Sequence, residues 1–355
     1  MKITGVAYQR LDLAMHEGYE IAYETIDRAV NFVLQLRTAR FVGQGCGAPD
    51  RVVTGEDPEE VEAVIRDVVM PVLQGQEALA YARIIYDLKQ DPRVGPSVLC
   101  MVDNALHDLA SRRAAMPLYK FLGGFRDAIA TSVTVGILPS AETLDAVRQW
   151  VGRGFRIIKI KGGHNLYEDL ERLALVRELY PNIELRFDGN QGYSERETLE
   201  FEAQARRYGV SVLEQPLSVD REAGLARVTA ATDIPVMADE SLKTLKDAFR
   251  LAQHGRADLV NIKLQKVGGI LEGLSINAVA QAAGMEAMVG CLDECGLGIA
   301  GGLHFALSRP NITLADLDGH LDLVNDPFAR GLFTLSDGML RPTSGDGLGG
   351  TGLAI

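Results

Sequence analysis

The chain has 355 residues, 47 % of them hydrophobic and 24 % charged, a composition that supports a large core and argues against extended disorder. Its 48 Asp and Glu outnumber 36 Lys and Arg, and the resulting net charge of −12 argues against a nucleic-acid or anionic-membrane partner. The first residues lack the apolar core of a signal peptide and no run approaches the roughly 18 apolar residues of a membrane span, so we expect a cytoplasmic protein that acts on a small molecule.

From the N-terminus, "MKITGVAYQRLDL" and "AVNFVLQLRTARFVGQGCGAP" read as strands of an antiparallel sheet, alternating in polarity and closing on glycines. The stretches "DPEEVEAVIRDVVMPVL", "ALAYARIIYDLKQ" and "PSVLCMVDNALHDLASRRA" carry apolar residues at helical spacing, and Asp57, Glu59 and Glu60 suit a first helical turn. Strands followed by helices predict an α+β domain over residues 1–122, closed by the Pro/Gly-marked "MPLYKFLGG". Cys46, Cys100, Cys291 and Cys295 lack CxxC spacing and read as free thiols, with core packing a better account of the Cys291/Cys295 pair than a metal.

The pattern then changes. "ATSVTV", "FRIIKIK", "IELRFD", "VSVLE", "IPVMAD", "DLVNIK", "EAMVG" and "ITLAD" are short apolar runs whose starts lie 24–28 residues apart, with amphipathic stretches between them. That is the arithmetic of a (β/α)₈ barrel, here over residues 123–324. Residues 325–355 fall outside the repeat and are expected to pack back on the first domain; their glycines lack the Lys-Ser/Thr and following helix of a phosphate loop.

Chemistry in such a barrel gathers at the C-terminal strand ends. Asp188, Glu214 and Asp239 end three consecutive runs, 26 and 25 residues apart. One such carboxylate usually caps a helix. Three in register repel one another unless a cation joins them, and a hard divalent ion such as Mg²⁺ matches an all-oxygen set. Lys159 and Lys161 stand two apart in an otherwise apolar strand, so both project to one face. A fraying strand with both lysines in solvent is the simple alternative. Lys263 ends the sixth run, diametrically opposite the second, which places Lys161 and Lys263 across the metal from each other. Lys266 reads as a loop or surface charge beyond the strand end.

Together with "ALHDLASRRAAMPLYKFLGG", "RFDGNQGYS", "LEQPL", "ADES", "KLQKVGGI" and "ECGLGIAGGLHFA", these residues resemble the enolase superfamily, in particular its muconate-lactonizing-enzyme subgroup, over nearly the whole chain. The resemblance implies an α/β fold, a modified (β/α)₇β TIM-type barrel with an N-terminal α+β capping domain, and one Mg²⁺ per subunit of an expected homo-oligomer. It also implies proton removal next to a carboxylate, giving a metal-stabilised enediolate. Lys161 and Lys263 become bases on opposite faces, with Lys161 tuned downward by Lys159 and the metal.

"ITLADLDGH" carries Asp316 and Asp318, and this Asp-x-Asp looks like the dipeptide epimerases, where it receives the substrate's α-ammonium. Lys159, Glu20, Tyr23, Cys291 and Glu294 complete the expected substrate contacts, although Cys295 stands where relatives often carry Ser. A cycloisomerase or an o-succinylbenzoate synthase would reuse the metal and lysines without needing Asp316 or Asp318. A non-catalytic descendant should have lost some of the set. The capping-domain stretch "LAMHEGYEIAYET" reads as a mobile specificity loop with Glu17, Glu20 and Glu24 and no Arg or Lys. With Asp50 nearby, it favours a cationic or apolar C-terminal residue over an acidic one.

Overall fold

The computed structural model describes residues 1–21 and 24–350, and the side chains of these outside 17–27. Strands β1 (Gly5–Ile21), β2 (Glu24–Arg37) and β3 (Val42–Gly47) form an antiparallel sheet in chain order. The second sequence run is thus two strands joined at Thr38–Phe41, where the Thr38 N–H donates to the Phe41 carbonyl. The stretch expected as a mobile loop is instead largely paired backbone, Tyr19 opposite Ile26 and Glu20 opposite Thr25. Its alternation of aromatic and β-branched residues suits a hairpin.

The helix Pro96–Arg113 lies across this sheet, and the period-two glycines of β3 are the reason it can. A Cβ on Gly43 would meet the Ala105 carbonyl at 2.5 Å, and one on Gly45 the Met101 carbonyl at 2.1 Å, so only a bare backbone admits the helix at this distance.

After the short β4 (Ile129–Ala130), all eight predicted runs are strands of one parallel sheet: β5 (Val133–Val135), β6 (Ile157–Lys161), β7 (Glu184–Asp188), β8 (Val210–Glu214), β9 (Val236–Ala238), β10 (Leu259–Lys263), β11 (Glu286–Gly290) and β12 (Ile312–Asp316). The sheet curls until its ends meet. The Ser132 N–H donates to the Ala315 carbonyl at 3.1 Å and the Leu317 N–H to Thr131 Oγ1 at 2.8 Å. Side-chain alternation explains the double lysine of β6. Ile158 and Ile160 point outward into a core shared with Leu170, Leu173 and Val176 of the helix Leu166–Leu179. Lys159 and Lys161 point inward, above a layer of Val212, Met237, Leu259, Met288 and Leu314.

Past the barrel, β13 (Phe333–Ser336) and β14 (Met339–Pro342) make a hairpin that adds to β4. Residues 347–349 then reach the capping domain, where the Leu348 N–H donates to Asp108 Oδ1 at 2.8 Å.

Candidate active site

Beneath the cap, the C-terminal ends of the barrel strands form the floor of a cavity of about 580 Å³. Lys159, Lys161, Lys263, Asp316 and Asp318 line it from the barrel, with Asn190, Thr134 and Cys291; Asp12, Arg28, Asp50, Arg51 and Glu59 line it from the cap. Strand order puts β6 and β10 opposite each other, with three strands between them in either direction, so Lys161 and Lys263 face each other across this floor.

Asp188, Glu214 and Asp239 lie just below, each no more than 2 % exposed. Asp188 and Glu214 are register neighbours on β7 and β8, and Asp239 follows β9. Lysines partly neutralise them. Lys159 Nζ stands 3.6 Å from Glu214 and 4.0 Å from Asp188, Lys161 Nζ 3.3 Å from Asp188, and Lys263 Nζ 2.8 Å from Asp239. With ammonium groups interleaved in this way, no cluster of three or more His, Cys, Asp or Glu among the described residues is arranged to hold a metal.

The donor chemistry nevertheless fits a hard cation. Glu214 Oε2 is sealed from solvent without a hydrogen-bond partner, while Oε1 accepts from Asn261 Nδ2 at 2.6 Å. Burial, with Asp188 and Asp239 alongside, pushes the Glu214 carboxyl up to about 8 despite Lys159 and Lys263. A buried, under-compensated carboxylate between two others is what a divalent ion relieves.

Lys159 and Asp316 are a buried ion pair, and Ser132 Oγ donates to the other Asp316 oxygen at 2.6 Å. Burial opposes the charge on Lys159, but Asp316, Glu214 and Asp188 together hold its pKa well above the ordinary value. Asp318 differs: the Thr134 N–H donates to it at 2.6 Å, Cys291 Sγ lies 3.7 Å away, and burial with Asp316 nearby pushes its pKa up to about 6. Of the Asp-x-Asp pair, it is therefore Asp318 that has charge to offer the cavity.

Several expectations need correction. Lys266 is not a surface charge: its side chain is 0 % exposed and its ammonium donates to Asp239. Glu294 does not reach the cavity wall. It lies behind it, 3 % exposed, accepting from Gln265 Nε2 at 2.8 Å and the Leu292 N–H at 3.1 Å. Cys295 packs against Cys46, 3.6 Å between sulfurs, and the cysteines are free thiols, although Cys291 faces the cavity rather than the core. Lys263, the other expected base, is held in its charged form: burial works against the charge, but Asp239 and Glu214 raise its pKa well above normal. Glu20 and Tyr23, with Glu17 and Glu24, are side chains outside the described residues.

Asn190 was missed by the sequence reading. Its Oδ1 lies 3.1 Å from Lys161 Nζ, and its backbone at φ +39° turns the side chain there, a conformation Asn tolerates better than most residues. "DGN" directly after a strand was the available signal.

Residues 5–123 match the family model for the mandelate racemase/muconate lactonizing enzyme N-terminal domain, and residues 142–351 match that for the enolase C-terminal domain-like family. The chain is 38 % identical over 352 residues to an L-Lys-D/L-Arg epimerase of Desulforapulum autotrophicum, covering 98 % of this chain and 99 % of that one. It superposes on the substrate-liganded L-Ala-D/L-Glu epimerase of Bacillus subtilis with a TM-score of 0.95 at 34 % identity, all of both chains being covered. The dipeptide epimerase of Methylococcus capsulatus, solved with Mg and L-Arg-D-Lys, matches at a TM-score of 0.94 and 35 % identity over 98 % of this chain and 99 % of that one. Among the described residues no helix is long and apolar enough to cross a membrane.

Proposed function

Because this chain belongs to the enolase superfamily, in its mandelate racemase/muconate lactonizing branch, we propose that it is a Mg²⁺-dependent isomerase that epimerises a dipeptide at the α-carbon of the C-terminal residue. The observation that carries this reading is the placement of Lys161 and Lys263 on opposed strands over three buried carboxylates, with Asp318 offering a negative charge on the same cavity wall. Asp188, Glu214 and Asp239 would hold the ion. Bound there, Mg²⁺ supplies positive charge beside the substrate carboxylate, where negative charge grows once the α-proton leaves.

The protein's own groups do the rest. Asp318 accepts the α-ammonium and so fixes which end of the dipeptide lies over the lysines. One lysine removes the α-proton from its face and the other delivers a proton to the opposite face, which inverts the centre. Asn190 holds Lys161 in line, and Lys159, locked to Asp316, keeps a permanent positive charge beneath the site. The cap excludes water and supplies the far wall.

The wall also favours a cationic substrate. Arg10 lies against Asp12 and Glu59 at 3.0 and 3.2 Å, which offsets those acids, and Arg51 pairs with Asp57. Asp50 also lines the cavity, and the cap stretch over residues 13–25 adds Glu17, Glu20 and Glu24 with no Arg or Lys among them. We therefore assign a cationic C-terminal residue first and an apolar one second, with an acidic one disfavoured. The M. capsulatus relative was solved with L-Arg-D-Lys, whose C-terminal residue is cationic, and the B. subtilis relative is an L-Ala-D/L-Glu epimerase, whose C-terminal residue is acidic.

Incubating a dipeptide library in deuterated water with Mg²⁺ tests the function. A one-dalton gain at the C-terminal α-carbon together with the epimer is expected, and an absence of exchange with every dipeptide would favour a cycloisomerase or an o-succinylbenzoate synthase.

A further inference from the structure

The sequence "KLQK" at the end of β10 places two lysines on one carboxylate. Lys263 reaches Asp239 Oδ2 at 2.8 Å from the cavity side. The chain then makes a single helical turn, Leu264–Val267, stopped by Gly268 at φ +92°, and this turn carries Lys266 back beneath the strand ends. There its ammonium donates to Asp239 Oδ1, to the Asp239 carbonyl and, at 3.2 Å, to the Asn261 carbonyl. All three protons have partners. The two oxygens of Asp239 are thus divided between a lysine facing the cavity and one with no access to solvent.

A sealed cation cannot contact substrate. It can hold a neighbour. Gripping both the side chain and the main chain of Asp239 fixes its side-chain rotamer, with Oδ2 directed toward Lys263 and the cavity. The Asn261 carbonyl ties this grip to the residue whose amide holds Glu214. We propose that Lys266 is a positioning residue that orients Asp239, and through Asn261 the Glu214 side, for Mg²⁺. The inference rests on the reading of Asp239 as a metal ligand. Groups that hydrogen-bond a ligand from behind typically alter metal affinity by roughly 10- to 100-fold when removed.

The sign of the effect separates this role from its rivals. A lysine that merely balances charge weakens a cation's hold on Asp239, so its removal would tighten Mg²⁺ binding. One that only supports the fold would change stability and leave affinity alone. A positioning lysine, when lost, leaves Asp239 free to turn, and binding weakens.

The experiment is calorimetric titration of Mg²⁺ into the full-length protein without dipeptide, with thermal unfolding as the check on folding. Lys266→Met keeps length and bulk while removing charge and donors, and is expected to weaken Mg²⁺ by roughly tenfold or more; unchanged or tighter binding would overturn the proposal. If this variant does not fold, Lys266→Arg decides. It keeps the charge, but a guanidinium is larger than an ammonium and cannot make the same three contacts in that enclosed space, so weaker binding supports the proposal and unchanged binding overturns it. A wild-type chain that binds no Mg²⁺, or an Asp239→Asn chain that binds it as well as wild type, would instead defeat the metal-ligand reading itself.

Discussion

Lys159 and Asp316, 157 residues apart in the chain, close a buried ion pair over β5, where the barrel shuts between β6 and β12, while Asp318, two residues on, keeps its carboxylate for the cavity. The two aspartates of one motif should therefore fail differently. Asp316→Asn leaves a buried ammonium less compensated and is expected to cost about 3–5 kcal/mol of stability. Asp318→Asn is expected to leave the melting temperature nearly unchanged and to raise KM for a dipeptide about ten- to a hundredfold, the worth of a charge-assisted hydrogen bond. Thermal unfolding and steady-state kinetics on both variants check this; equal melting points would count against the division of labour.

Two buried histidines should each weaken the fold in mild acid, against the opposite pull of Glu214 and Asp318, whose raised pKa values favour the folded state as they protonate. His304 is fully buried with Nε2 unpartnered, and its Nδ1 accepts the Tyr119 N–H at 3.0 Å; burial pushes its pKa down to about 4. Burial does the same to His320, likewise to about 4. A base whose folded pKa lies below its unfolded one binds protons mainly when unfolded. Its neutral form therefore supports the fold above about pH 6.5, and that support is lost between about 6.5 and 4, roughly 3 kcal/mol for each residue. Urea unfolding of wild type and His304→Asn across this range should differ in slope, the variant, which keeps an acceptor for Tyr119, gaining roughly 3 kcal/mol relative to wild type as pH falls from about 6.5 to 4. An unaltered slope in that variant would remove His304 from the account.

Substrate preference follows from the wall charges. kcat/KM is expected to be higher for Ala-Lys than for Ala-Phe, and lowest for Ala-Glu. Asp50→Asn and Glu20→Gln should each narrow the advantage of Ala-Lys over Ala-Phe. A clear preference for Ala-Glu would contradict the charge argument directly.

How far the sequence could be read depended on whether a residue's role is local. The eight strands were legible because each is a short apolar run at a regular interval, and Asp188, Glu214, Asp239, Lys161 and Lys263 because strand ends are where such a barrel concentrates polar groups. Lys266 was misread because its partner is 27 residues earlier, on another strand; a lysine three residues beyond a strand end looks the same in sequence whether its turn leads outward or back beneath the barrel. Glu294 was misplaced for the same reason, since its orientation is set by Gln265, 29 residues away. Residues 13–25, between two stretches that were read as strands, were taken for a mobile loop because their charged residues masked the alternation that goes with paired backbone such as Tyr19 opposite Ile26.

The opposed lysines are the centre of the proposal, and one measurement addresses them most directly. Lys161→Ala and Lys263→Ala, each with Mg²⁺, are incubated in deuterated water with the two epimers of the preferred dipeptide, and the C-terminal α-proton is followed by NMR. Neither variant should interconvert the epimers. Each should still exchange the α-proton of one epimer, and the two variants should label opposite ones. Labelling of the same epimer by both, or continued epimerisation by either, would contradict a mechanism in which one lysine serves each face.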